Sequence, residues 1–213
     1  MSNIIIAIDG ACRRNGKKDC VSAGGCFGIY NEEAFSISDY EVGSTNQRGE
    51  MLALKAALTF ILKNKEQAYI ITDSEYLYNT MTKGWLTKWA ANDWKNASND
   101  TVKNKDIWSE ILSIHMQIDT EVIMYHIKGH CLSVGKVTAR NSISEDATGF
   151  KLYNLIKDKE IVEKNIVNAQ KVSKQINGHE LPEQAISTFI RFNTVADAIA
   201  TRCVDAADIL VSR

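Results

Sequence analysis

Residues Ile4–Cys12 read IIIAIDGAC, a β-branched apolar run that stops on a carboxylate, Asp9. Such a run, followed by a polar segment with glycine, predicts a short buried strand over Ile4–Asp9. The pattern recurs at AYIITD, where Ala68–Thr72 runs straight into Asp73. A buried carboxylate is unfavourable unless it is paired or binds a metal. Two strands that end alike therefore predict two walls of one site.

Around this pair the chain supplies the rest of a sheet. Gly24–Tyr30 and Ala34–Val42 read as two strands joined across Asn31-Glu32-Glu33 as a hairpin. Thr45 or Asn46 caps a helix to about Lys63, with Leu54, Ala57, Leu58 and Ile61 at helical spacing. Short helical segments run to Trp94, Asp106–Gln117 is a further helix, and Glu121–Ile127 is a strand. The order predicts an α/β fold: a five-stranded mixed sheet, three antiparallel strands then two parallel, flanked by helices. Sites in such sheets lie at the carboxyl ends of parallel strands, and Asp9 and Asp73 both fall at such ends.

Glu50 stands four residues before Leu54 and eight before Leu58, on the helix face that packs on the sheet. A lone glutamate there would serve the helix dipole. With two strand-end aspartates aimed at the same rim, it becomes a third wall of the site. Two carboxylates ~4 Å apart repel by ~4 kcal/mol at an effective dielectric of 20. A hard divalent cation with all-oxygen ligation, magnesium or manganese, relieves that repulsion. Zinc is not spelled: His126 and His130 have a ligand spacing but lie across a strand end.

The formal net charge of −1 over 213 residues excludes a globally basic nucleic-acid binder and leaves room for a local basic face. Cys12, Cys20, Cys26, Cys131 and Cys203 show neither a CxxC motif nor paired spacing, which fits reduced thiols. No apolar run approaches bilayer length, and the N-terminal run lacks the flanks of a secretory signal. The expectation is a cytoplasmic protein without a membrane partner.

Asp9-Gly10-Ala11-Cys12 with Asn15-Gly16, then Thr45-Asn46-Gln47-Arg48-Gly49-Glu50, then Thr72-Asp73-Ser74, then Lys128-Gly129-His130, taken in order, resemble the motifs of type 1 ribonuclease H. Trp85, Trp89 and Trp94, with Val102–Trp108 after them, resemble that family's substrate-binding protrusion, and Asn193–Asp197 resembles the place of its fourth carboxylate. The resemblance implies an endonuclease that cuts the RNA strand of RNA–DNA hybrids with two magnesium ions, leaving 5′-phosphate and 3′-hydroxyl ends. By it, Asp9 bridges both ions, Asp197 completes the site that activates water, and Glu50 and Asp73 hold the ion facing the leaving oxygen. His130 then assists proton transfer or product release. Gly10, Ala11, Cys12, Asn15, Asn46 and Gln47 match positions lining the two strands, Thr45 and Asn92 a phosphate pocket, and Trp85 a sugar contact.

Several features depart from the family pattern. Gly43 and Ser44 stand where some relatives have an arginine, Ala90–Asp93 is poor in lysine, and Glu75 adds a negative charge near the groove. Residues 131–196 separate His130 from Asp197, where a short loop is usual. Within one domain spanning 1–213, residues 132–192 are therefore expected to form a helical insertion. Gly149–Ile176 reads as a single amphipathic helix stopped at Asn177-Gly178, and Pro182 opens a short helix, Glu183–Phe192, before the last one. Between Gly149 and Gly178 stand six lysines against three acids, which suit a decorated core, a phosphate grip or a protein-docking surface. On the last helix Asp197 is preferred to Asp205, two turns further on. Two other functions compete: another nuclease or strand-transfer enzyme of the same fold, and a hybrid-binding module without catalysis. A serine hydrolase is not supported, because no GxSxG elbow accompanies Ser74.

Overall fold

The computed structural model describes residues 3–211. Its centre is a five-stranded sheet of order β3-β2-β1-β4-β5. Strands β1 (Ile4–Arg13), β2 (Val21–Tyr30) and β3 (Glu33–Val42) form an antiparallel meander, while β4 (Ala68–Thr72) and β5 (Val122–His126) add parallel to β1. The β2–β3 turn is tighter than expected: Asn31 and Glu32, both at positive φ (51° and 65°), link strands paired as far as Tyr30 and Glu33. A two-residue turn with both φ positive matches the twist of the strands it joins.

One strand boundary differs from the sequence reading in a way that matters. β1 does not end at Asp9, because antiparallel pairing to β2 continues to Arg13↔Val21. Its parallel pairing to β4 stops at Ala7↔Ile71. Asp9 thus lies where β1 and β4 separate, and the mouth between them is the site.

Helices cover both faces. Ile4, Ile6 and Ile8 face α1 (Asn46–Asn64), which packs with α2 (Glu75–Thr82), α3 (Trp85–Ala91) and α4 (Lys105–His115). Thr45 is the N-cap of α1, accepting from the Arg48 amide. Ala7, Phe27 and Ile71 face α8 (Glu183–Val211) and the helices before it, α5 (Lys136–Glu145), α6 (Phe150–Ile156) and α7 (Glu163–Asn177). No helix among the described residues is long and apolar enough to cross a membrane.

The helical segment corrects two expectations. Gly149–Ile176 is not one helix, since it breaks over residues 157–162, a stretch that follows buried Ile156 and contains buried Ile161. The break is held by Arg191 of α8, whose guanidinium donates to the carbonyls of Ile156 (3.1 Å) and Lys159 (3.0 Å). Carbonyls that would have continued the helix are satisfied there by a side chain. Conversely, Glu183–Phe192 is not a separate helix. α8 runs unbroken through Asn193 and Thr194, because Thr194 bonds back to the Ile190 carbonyl and Asn193 sends its amide to Asp9. Neither side chain competes for the backbone in the way that ends helices.

Candidate active site

Close packing of glycines brings the acids together. A Cβ on Gly10 would stand 2.5 Å from the Glu50 amide nitrogen, and one on Gly49 would stand 2.7 Å from the Ala23 carbonyl. With neither present, the first turns of α1 rest on β1 and β2, and Glu50 reaches the mouth beside Asp9. Asp73 follows directly on β4 and faces Gly129. One oxygen from each of Asp9, Glu50 and Asp73 lies within 4.8 Å of the others.

Burial and mutual repulsion govern their ionisation. Asp9 is 5% exposed, with Oδ1 accepting from the Gly10 amide at 2.7 Å and Oδ2 from the Asn193 side-chain amide at 3.4 Å. Burial, then the charges of Asp73, Glu50 and Asp197, hold its carboxyl well above the usual range. Glu50 is pushed up to about 8, by burial first and by Asp73 and Asp197 after it. Burial also raises Asp73 and Asp197, with the nearby His130 imidazole opposing it at both. Glu50 Oε2 is buried with no hydrogen-bond partner. A set of clustered carboxylate oxygens, one of them unpartnered, has the chemistry of a hard divalent-cation site.

Asp197 sits one turn beyond Asn193 on α8, within electrostatic reach of the three but outside their tight oxygen cluster. Asp205 is engaged elsewhere, with Arg13 (2.6 Å) and Arg140 (3.3 Å). His130 is exposed, at φ 56° on the loop after β5. His126 is buried, and its Nε2 lies 3.0 Å from the Asp73 carbonyl, so the two histidines do not share a site.

From Glu50 and Asp73 an open cavity of about 640 Å³ extends past Asn15, Asn46 and Gln47 to Thr45, Lys103 and Asn104. Asn15 accepts from the Asn46 amide (3.3 Å), and Gln47 accepts from the Asn104 side chain (3.2 Å). Gly10, Ala11 and Cys12 continue β1 beyond Asp9, paired to Gly24, Ala23 and Ser22. Cys12 Sγ lies 2.8 Å from Cys20 Sγ across the hairpin, a proximity their spacing did not announce. All five cysteines are free thiols.

Gly10, Ala11 and Cys12 are not among the residues lining this cavity, and two further expected contact residues, Trp85 and Asn92, stand apart from it. Trp85 packs against Trp89 (ring centroids 6.2 Å), and Asn92 donates to the Lys95 carbonyl within the protrusion. Lys103 and Asn104, read from the sequence only as part of the Val102–Trp108 stretch of the protrusion, line the cavity. Asn104 is left-handed (φ 57°) at the N-terminus of α4, and an asparagine just ahead of a helix was the available signal. Arg48 does not face the cavity. It clamps Glu41 (2.6 Å) and Asp106 (2.8 Å).

Comparison with known proteins accords with this arrangement. The RNase H family model matches residues 1–142. A ribonuclease H of Chlorobium phaeobacteroides is 37% identical over 127 residues, 60% of this chain and 83% of that protein. One from Clostridium botulinum is 34% identical over 130 residues, 61% of this chain and 85% of its own. Among solved structures, LC9-RNase H1, described as a type 1 RNase H with the type 2 active-site motif, superposes with TM-score 0.54 at 17% identity, over 93% of this chain and 85% of that one. The PFV RNase H domain superposes with TM-score 0.53 at 21% identity, over 71% and 95%. These two share the fold. The family match over more than half of the chain, with relatives whose length it nearly spans, makes this protein a member of the ribonuclease H family and a ribonuclease H enzyme.

Proposed function

We propose that the chain hydrolyses the RNA strand of RNA–DNA hybrids at the Asp9–Glu50–Asp73 cluster, leaving 5′-phosphate and 3′-hydroxyl ends, with two magnesium ions per site and manganese as a substitute. The observation that carries this reading is the convergence of three carboxylate oxygens within 4.8 Å, one glutamate oxygen being unpartnered, at the end of an open polar cavity. Asp9, Glu50 and Asp73 would hold the cations, with Asp197 completing the set. Bound there, divalent ions supply charge stabilisation on the phosphodiester and acidify a water.

The chain's own residues do the rest. Gly10 and Asn193 hold the Asp9 carboxylate in one orientation from two sides. Asn15, Asn46 and Gln47 offer amide groups to the minor-groove edges and 2′-hydroxyls that distinguish RNA from DNA. Thr45, Lys103 and Asn104 form a hydroxyl, cation and amide group suited to a backbone phosphate further along the duplex. Trp85 and Asn92 would meet the duplex from the protrusion, outside the cavity. His130, exposed and close enough to influence Asp73 and Asp197, would move a proton at the leaving oxygen or assist product release.

We read residues 132–192 as a helical insertion in the same domain, and Lys151, Lys159 and Lys174 in it as serving the fold more than a nucleic acid. Lys151 pairs with Glu145, Lys159 donates to the Ser133 carbonyl, and Lys174 pairs with Glu180.

Cleavage of an end-labelled RNA–DNA hybrid with magnesium, beside duplex RNA, duplex DNA and an Asp73→Asn variant, tests the reading. The expected result is cutting of the hybrid alone, lost in the variant. A hybrid bound but left intact by the native chain would make this a binding module.

A further inference from the structure

β5 is the last strand of the sheet, and its outer edge carries backbone groups that no strand satisfies. At His126, the residue that ends it, α7 takes the missing strand's place. Asn177 Oδ1 accepts from the His126 amide (2.9 Å), and Asn177 Nδ2 donates to the His126 carbonyl (2.9 Å). Ser173 Oγ donates to the same carbonyl (3.0 Å) and is bonded to Asn177. Further back on α7, Asn165 Nδ2 donates to the Cys131 carbonyl (2.9 Å). Asn165, Ala169, Ser173 and Asn177 recur every fourth residue, so they form one stripe, with Ala169 and Ser173 fully buried.

The two backbone positions bracketed by this stripe, His126 and Cys131, are the two ends of the loop bearing Gly129 and His130. At the first end the buried His126 ring also meets the Asp73 carbonyl, and Ile127 pairs with Thr72. In the middle, Gly129 touches the Asp73 carboxylate. The loop is therefore held at both ends by a helix lying wholly outside the family match, which stops at residue 142.

We propose that Asn165, Ser173 and Asn177 are positioning residues: α7 fixes the 127–131 loop at both ends and so fixes His130 relative to Asp73. The role rests on the nuclease reading above. A helix that only covered the sheet edge would have no need of Asn165, because the Cys131 carbonyl lies beyond the strand.

The test uses the full chain, with Asn165→Ala, Asn177→Ala, His130→Ala and the double variant Asn165→Ala/His130→Ala. Hydrogen exchange of the 128–131 amides and steady-state hybrid cleavage are both read. Asn165→Ala is expected to speed loop exchange roughly tenfold, and to lower kcat roughly tenfold with KM for the hybrid within about twofold. In the double variant it should add nothing to the loss from His130→Ala, because both act through one group. Loop exchange equal to the native chain, or losses that multiply in the double variant, would overturn the proposal. Asn165→Ala removes a single hydrogen bond and decides the matter should Asn177→Ala fail to fold. An inactive native chain would refute the nuclease reading instead, and exchange would still decide whether α7 holds the loop.

Discussion

Gly129 lies against the carboxylate of Asp73 with no space for a Cβ between them. The contact joins the loop after β5 to the acid after β4, beside the bonds of the His126 ring to the Asp73 carbonyl and of the Ile127 amide to the Thr72 carbonyl. A side chain on residue 129 must displace either the loop or the carboxylate. Neither can move far, since the loop is anchored at His126 and Cys131 and Asp73 is anchored by β4.

Gly129→Ala should accordingly lower hybrid cleavage by about 10²-fold, the scale set by misplacing a reacting group by about 1 Å. Hybrid affinity should change little, because the cavity lining of Asn15, Thr45, Asn46 and Gln47 is untouched. Single-turnover cleavage set beside filter binding separates the two, and a fall in affinity that matched the fall in rate would contradict the assignment.

The carboxylate cluster should make the cation-free protein less stable as pH rises. Glu50 is held near 8 in the folded chain against an ordinary 4.5, so the folded state keeps a proton that the unfolded state gives up. Its contribution is full below about pH 4.5 and is lost as pH climbs to about 8, at no more than about 1.4 kcal/mol per pH unit for one proton. Glu50→Gln should therefore raise Tm at pH 8 without divalent ions, by about 2–4 °C for each kcal/mol relieved in a chain of this size. Magnesium should stabilise the native chain and scarcely affect the variant. Thermal melts at pH 5, 6.5 and 8, with and without magnesium, check the sign.

Arg48 ties β3, α1 and α4 through Glu41 and Asp106. Its guanidinium holds the Glu41 carboxyl below the usual range, against the effect of burial. Arg48→Ala should cost about 1–3 kcal/mol at neutral pH, the scale of hydrogen bonds to charged groups. The depressed Glu41 carboxyl contributes fully above its unfolded pKa and loses that contribution as pH falls through its folded one, so the difference from the native chain should shrink as pH falls below about 4. Urea melts at pH 7 and pH 3.5 measure both ends.

Asp197 and Asp205, two turns apart on α8, should separate cleanly. Asp197→Asn is expected to reduce metal-dependent cleavage by about 10²-fold or more, removing one acid of the charge cluster. Asp205→Asn should leave cleavage intact and cost about 1 kcal/mol or less, since its pairs with Arg13 and Arg140 are partly exposed. Equal losses of activity would mean that the fourth acid had been misassigned.

The strands and the acids were legible in the sequence because their signals are local. IIIAID and AYIITD announce a buried run meeting a carboxylate, and the Leu54–Ile61 spacing turns Glu50 toward the sheet. Within Val102–Trp108 nothing singled out Asn104, because it stands beside Gln47, distant in the chain. The break after Ile156 escaped because Arg191, which satisfies the freed carbonyls, lies on another helix. The Cys12–Cys20 approach escaped because it depends on hairpin register, which spacing does not state.

By itself, then, the sequence determined the strands and the helices between them, the order in which they build the sheet, and residue types whose chemistry suits a cation-binding, nucleic-acid-cleaving site. Periodicity, β-branching and caps act over a few residues, so the chain states them directly. Only the tertiary structure decided how near the acids come, that Asp9 sits at a fork between two strands, and that α7 takes the place of a sixth strand at the end of β5. Those outcomes turn on a missing Cβ at Gly10, Gly49 and Gly129 and on hydrogen bonds from asparagine side chains to backbone groups far away in the chain. Contacts of that kind exist only once the elements have packed.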